Sequence, residues 1–369
     1  MRALLTPIVD DAIRRQVTPG AVILVADQGE IQCLEAFGHS ADPCDLGRPV
    51  QTDTIYDAAS LTKSAVTSCL LMTLVAEGRI SLETRVRGLL PELSGPGVEE
   101  ITLRHLMGHG SGLPAHQLFY ERIRGGERAG TGNVRDALAT MAGHTPLAYT
   151  TGSQTIYSDL GYILLARLIE NLSGQRLDAL FEQRIAGPLG MVDSGFVVLV
   201  PPCPHPHIDR VAPTKQIDTR QLLRAEVHDD NAHSGGGISG HAGLFSTAAD
   251  LARLAQSLCK AYQGQSSLFA KEVVQRFWTT SAAPATSWRM GWDTASDVPG
   301  VSHAGDHWPA SGVGHLGYTG TAWWLAPRDQ RFVIILTNRV YYSCEKEGIK
   351  ALRRALMHAI TSALPAAGL

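Results

Sequence analysis

Two kinds of apolar pattern divide this chain of 369 residues. Near the start, "AVILVADQGEIQCLEAFG" holds β-branched and apolar residues on either side of Asp27-Gln28-Gly29, which predicts strands over Ala21–Ala26 and Ile31–Phe37. Strands return near the end, where "YTGTAWWLAP" and "RFVIILTNRV" flank Pro327-Arg328-Asp329-Gln330 as a second hairpin. Between them the period is helical. "YDAASLTKSAVTSCLLMTLVAEG" predicts a helix that stops at Gly78. "DLGYILLARLIENLSG" places Leu160, Ile163, Leu164, Leu168 and Leu172 on one side, with Gly174 as its stop. "STAADLARLAQSLCKAYQG" has Ser246 or Thr247 as cap and Asp250 in its first turn. Residues 1–15 and about 346–363 read as terminal helices. The expected class is α+β, with one antiparallel sheet built from both termini, flanked by helices, and a mostly helical insertion. The expected division is 1–58 plus 286–369 for the sheet part and 59–285 for the insertion, with a cleft between them. The Pro-rich "VVLVPPCPHPHIDR" reads as a connector, and no internal repeat occurs.

Composition narrows the function. A net charge of -3 gives no basic face, which argues against nucleic acid as a partner and against an anionic lipid surface. No apolar run approaches the ~18 residues of a membrane span. The six cysteines are scattered without a C-x-x-C pair, so they do not form a disulfide scaffold, and Cys69 and Cys259 lie in apolar helical patterns as buried thiols. No secretory leader is visible at the N-terminus, so the expected compartment is cytoplasmic as written, or periplasmic or secreted if a leader was removed.

The chemistry starts from serine and lysine. Only six lysines are present, and three follow a serine by three residues: Ser60–Lys63, Ser257–Lys260 and Ser343–Lys346. Ser257 falls late in a helix and Ser343 has no helix start behind it. Ser60 sits at a helix start, where orphan N–H groups and the positive dipole end can stabilise an oxyanion, and Lys63 shares its face. Tyr157-Ser158-Asp159 precedes another helix, and His315-Leu316-Gly317 is expected to open the strand that runs into "YTGTAWW". The separations are 157 − 60 = 97 and 315 − 157 = 158.

In that order, Ser60-x-x-Lys63, Tyr157-x-Asp159 and His315-x-Gly317 resemble the three motifs of penicillin-recognising serine hydrolases. That family includes class C β-lactamases, D-alanyl-D-alanine carboxypeptidases and related esterases. "TPGAVILVADQGEI", "LRHLMGHGSGLP", "VHDDNA", "GGGISGHAGLFSTAADLARLAQ" and "GHLGYTGTAWWLAPRDQRFVIILTNR" extend the likeness over about 18–340. The resemblance implies the β-lactamase/transpeptidase-like fold, no cofactor, and a small-molecule or short peptide substrate; it leaves the oligomeric state open. It implies Ser60 as nucleophile, Lys63 and Tyr157 as the proton-transfer groups, and an oxyanion hole from the backbone N–H groups of Ser60 and Tyr318. Asp159, His315, Gly317 and His228 are the expected substrate-binding residues.

Two departures matter. Asp159 stands where β-lactamases usually carry asparagine; it either favours the ammonium form of Lys63 or only caps the following helix. His315 stands where class C β-lactamases carry lysine, and as an imidazolium it would meet a substrate carboxylate only below about pH 6.5. Ester or D-Ala-D-Ala-type peptide hydrolysis is therefore expected, with weak β-lactamase activity at most. The alternative is a penicillin-binding or sensor module that acylates without turnover. His205-Pro206-His207-Ile208-Asp209 imitates a metal-ligand run, but the connector lacks rigid support and the next residue is Arg210, so no metal site is expected. His228 either lines the cleft or is structural, and Trp288, Trp292, Trp323 and Trp324 suit a core better than an acyl pocket.

Overall fold

The structure is a computed structural model. It describes residues 1–365 apart from 46, 201, 203, 204, 206, 216–218, 220 and 297–300, so part of the Pro-rich connector lies outside the described residues. Its centre is a six-stranded antiparallel sheet. In chain order the strands are β1 (Gly20–Asp27), β2 (Glu30–Gly38), β3 (Asp293–Thr294), β4 (Val313–Leu316), β5 (Ala322–Ala326) and β6 (Arg331–Thr337), and in space they run β2-β1-β6-β5-β4-β3. The two ends of the chain meet in the middle of it, with Ile23 opposite Ile335. The expected sheet from both termini is present. The turn between β1 and β2 needs positive φ at Gln28 and Gly29, which is why glycine stands there.

Alternation along β1 sends side chains to two cores. Ala21, Ile23 and Val25 join Val333 and Ile335 against α1 (Arg2–Arg14) and the C-terminal helix, through Leu5, Val9, Leu352, Leu356 and Ile360. Val22, Leu24 and Ala26 join Ile334 and Leu336 against the helices of the middle region. A strand buried on both faces reads as an unbroken apolar run, as "AVILVA" does. The larger core continues through α2, whose first turns are π-helical over Lys63–Ser68 and whose remainder is α-helical over Cys69–Ala76. It continues into α3 (Asp159–Ser173) and α4 (Ala248–Tyr262). The last helix is α5 (Glu347–Ala363). Ser158 caps α3, Gly174 ends it at φ 72°, and Thr247 caps α4.

One detail differs from expectation, and others match it. His315 lies near the end of β4, and a tight turn over residues 317–321 separates it from β5. Trp292 and Trp323 stack at 5.0 Å inside the core, as expected for core tryptophans, while Trp288 packs 5.1 Å from the Tyr157 ring. The five described cysteines are free thiols. Among the described residues no helix is long and apolar enough to cross a membrane.

Candidate active site

Ser60 stands on a backbone elbow. Ala59 before it has φ 49°, a left-handed conformation that a side chain resists. Asp57 holds the elbow: its Oδ1 accepts the Ala59 N–H at 2.8 Å, and its Oδ2 accepts the His228 N–H at 2.8 Å. Burial, with Asp229 nearby, pushes the Asp57 carboxyl up to about 6 despite those two bonds. The turn 317–321 docks on the same segment, with Thr319 Oγ1 donating to the Asp57 carbonyl at 2.8 Å and Thr321 Oγ1 to the Ala58 carbonyl at 3.0 Å. A Cβ on Gly317 would lie 1.9 Å from Thr321 Oγ1 and 2.8 Å from the Ala58 carbonyl, so that position accepts only glycine. The reason is this close docking rather than room for a ligand. Among the described residues, neither the N–H of Ser60 nor that of Tyr318 has an acceptor.

Lys63 is wholly buried, and its ammonium reaches Ser60 Oγ at 3.1 Å, the His241 carbonyl at 3.0 Å and Asp159 Oδ1 at 2.8 Å. Burial works against its charge, but Asp159 and Tyr157 outweigh burial and hold Lys63 above the usual lysine value. Burial likewise opposes the charge of Asp159, yet the Lys63 ammonium and the nearby His116 ring keep its carboxyl far below the usual range. Since Ser158 provides the cap of α3, Asp159 is left to serve Lys63. The Tyr157 hydroxyl interacts with both Ser60 and Lys63, and burial, against the pull of Lys63, raises its phenol above the ordinary value. The resting site therefore holds an ammonium and a neutral phenol.

These groups open onto a cavity of about 420 Å³, lined among others by Ser60, Tyr157, Asp159, His228, Tyr318 and Lys346. His228 thus lies at the cleft, its ring stacked 5.9 Å from that of Tyr318. Its neighbour Asp230 also faces the cavity and pairs with Arg124 at 2.6 Å, whereas Asn231 is buried as a structural amide.

His315 does not fit the imidazolium expected of it. It is 1% exposed, with its ring 6.0 Å from Tyr157 and 5.4 Å from Trp288. Nδ1 bonds the Leu316 carbonyl at 2.9 Å, and Nε2 is buried with no partner. Burial and the Lys63 ammonium pull its pKa down to about 3, so the ring is neutral at physiological pH. The reason is physical: a cation already occupies the site, and a second buried one would face both repulsion and desolvation.

Several site residues escape sequence reasoning. His116, half-exposed on the cavity wall, sits 3.6 Å from Asp159 Oδ2. His241 offers its carbonyl to Lys63 while its ring bonds Asp229 at 2.8 Å. Neither carries a motif of its own, although both fall in or beside segments quoted for the family likeness. Of the rejected pairs, Ser257 lies inside α4 with its hydroxyl 3.4 Å from that of Ser266, and Ser343 lies apart from the cavity although Lys346 lines it.

Comparison with known proteins agrees with this architecture. The beta-lactamase family profile matches residues 5–356. An N-acetylmuramyl-L-alanine amidase of Bacillus subtilis is 32% identical over 90% of this chain and 80% of its own. An Escherichia coli protein whose name as a D-alanyl-D-alanine carboxypeptidase is provisional is 30% identical over 87% and 78%. In structure, the octameric penicillin-binding protein homologue from Pyrococcus abyssi superposes with a TM-score of 0.71 at 24% identity, covering 94% of this chain and 76% of that one. EstCE1, a hydrolase with promiscuous acyltransferase activity, gives 0.73 at 19% over 96% and 98%. With the family profile spanning nearly its whole length and a 32% identical relative covering 90% of it, the chain belongs to the beta-lactamase family, the serine hydrolases of the β-lactamase/transpeptidase-like fold.

Proposed function

We propose that this protein hydrolyses esters or D-Ala-D-Ala-type peptides through an acyl-enzyme on Ser60. The observation that carries this reading is the Lys63 ammonium bound at once to Ser60 Oγ, Asp159 and the His241 carbonyl. Ser60 Oγ attacks the substrate carbonyl. Its proton passes to Tyr157 Oη while the Tyr157 proton passes to the leaving nitrogen or oxygen, so a neutral phenol serves as acceptor and donor together. The ammonium stabilises charge on Ser60 Oγ, and the N–H groups of Ser60 and Tyr318 receive the oxyanion. In deacylation water gives its proton to Tyr157 Oη as Tyr157 returns one to Ser60 Oγ.

The cavity of about 420 Å³ suits a small substrate. The two named relatives, an amidase and a carboxypeptidase by name, support an amide or peptide bond. With His315 neutral, Lys346 is a cation on the cavity wall that a substrate carboxylate would meet. The test is a panel of a short-chain aryl ester, a D-Ala-D-Ala peptide and a chromogenic cephalosporin, alongside fluorophosphonate labelling. Ser60→Ala is expected to abolish labelling and turnover, and Tyr157→Phe to lower kcat by about 10²–10⁴. An adduct on Ser257 or Ser343 would refute the assignment. A stoichiometric burst without turnover on every substrate would point to a sensor module instead.

A further inference from the structure

Arg353 on α5 is 5% exposed, and among the described residues no carboxylate pairs with it. Its guanidinium instead donates to three carbonyls of a single turn: Gly317 at 2.6 Å, Thr321 at 2.7 Å and Gly320 at 3.1 Å. Burial and the Arg339 charge lower its pKa to about 9, which leaves it cationic at neutral pH. A buried cation without a counter-ion is costly and persists where its hydrogen bonds are well formed.

The turn it grips carries Tyr318. The carbonyl of Gly317 and the N–H of Tyr318 are two ends of one peptide group. A charged donor on that carbonyl draws electron density from the amide, which strengthens the N–H as a donor, and it also fixes the plane in which the N–H points. The opposite side of the turn is held by Thr319 and Thr321 on Asp57 and Ala58, beside Ser60. We propose that Arg353 is a positioning residue of the oxyanion hole, orienting and polarising the Gly317–Tyr318 peptide so that the Tyr318 N–H meets charge developing on the substrate carbonyl. This role rests on the acyl-enzyme reading of Ser60 given above.

The test uses the full chain with Arg353→Met, which fills the space without the charge, and Arg353→Lys, which keeps a cation but not the fork. Folding is checked by near-UV circular dichroism and thermal melting. For an ester that accumulates acyl-enzyme, kcat, KM and the infrared band of the acyl carbonyl are recorded. Losing one oxyanion donor costs about 10²–10³-fold, so weakening one should lower kcat by about 10–100-fold in Arg353→Met, with KM within about threefold. The acyl carbonyl band should move to higher frequency as the hole weakens, and Arg353→Lys should fall between wild type and Arg353→Met on both readouts. A folded Arg353→Met enzyme with wild-type kcat and an unshifted band overturns the role. So does a loss of rate that only tracks the unfolded fraction. If Arg353→Met does not fold, Arg353→Lys decides: an unshifted band with full kcat overturns the role. Absence of a Ser60 adduct in the wild type would overturn the acyl-enzyme reading together with this role, whereas a Ser60 adduct with an unshifted band in the variants overturns this role alone.

Discussion

Lys63 is wholly buried, and burial alone would drive its ammonium toward the neutral amine. Asp159 reverses that outcome from 2.8 Å away. Asp159→Asn keeps the shape and removes the charge, so the Lys63 pKa should drop. The direction of the resulting pH profile separates two mechanisms. If the ammonium is the working form, the Asp159→Asn rate falls as pH rises through the lowered lysine pKa; if the amine were the base, the rate would rise there. We expect the fall, with kcat at pH 7 reduced by about 10–100-fold, within the usual worth of one positioned proton-transfer group. Rate against pH from 5.5 to 9.5 for both enzymes is the measurement. A rising limb in the variant would make Lys63 the base and remove Tyr157 from that role.

At the scale of elements, the turn between β4 and β5 is wedged between α5 and the segment before Ser60. Its tightness shows at Gly317, where an added Cβ would lie 1.9 Å from Thr321 Oγ1. Gly317→Ala is expected to destabilise the protein by about 1–3 kcal/mol, the usual cost of forcing an extra carbon into a packed site. It should also lower kcat, because the shift is felt at Tyr318. Thr321→Ala removes the obstructing oxygen, so the double variant should melt above the temperature expected from summing the two single effects. Strict additivity in thermal melting would mean that the clash is relieved elsewhere. The π-helical turns of α2 belong to this scale as well. They lie where Lys63 enters, and extra turns of this kind within helices are common at functional sites.

The whole molecule joins its termini through the β1–β6 pairing and packs helices on both faces of the sheet. Its buried ionisable groups make stability depend on pH in opposing ways. Folded His315 titrates at about 3, while an unfolded histidine titrates near 6.5. Between those values the unfolded chain binds a proton that the folded chain refuses, so this residue lowers stability as pH falls from about 6.5 toward 3. Folded Asp57 titrates at about 6 against about 3.9 when unfolded, so its contribution declines as pH rises through that window. In urea unfolding from pH 4 to 8, His315→Asn should therefore gain on the wild type as pH is lowered below 6.5, and Asp57→Asn should gain as pH is raised toward 6 and above. Parallel stability curves for wild type and His315→Asn would show that the folded ring takes up its proton over the same pH range as an unfolded histidine.

What the sequence could determine alone was local or ordered along the chain. Strand and helix periods marked β1, β2, β5, β6, α1, α3, α4 and α5, because each buries a face whose spacing is written in consecutive residues. The helix-start position singled out Ser60 from Ser257 and Ser343, and the order of three short motifs carried the family likeness. Charge states were decided only in three dimensions. His315 has the same residue type whether it is exposed and cationic or buried beside Lys63 and neutral, and its burial comes from Trp288 and Tyr157, far from it along the chain. Asp159 could have been a helix cap until Ser158 took that place and Lys63 arrived at 2.8 Å. Asp57, His116, His241 and Arg353 carry no motif. Each acts through a partner at least 43 residues away, counted from His116 to Asp159, or through backbone atoms brought close by the fold. Desolvation and Coulomb energy depend on distance in space, and only the tertiary structure supplies that distance.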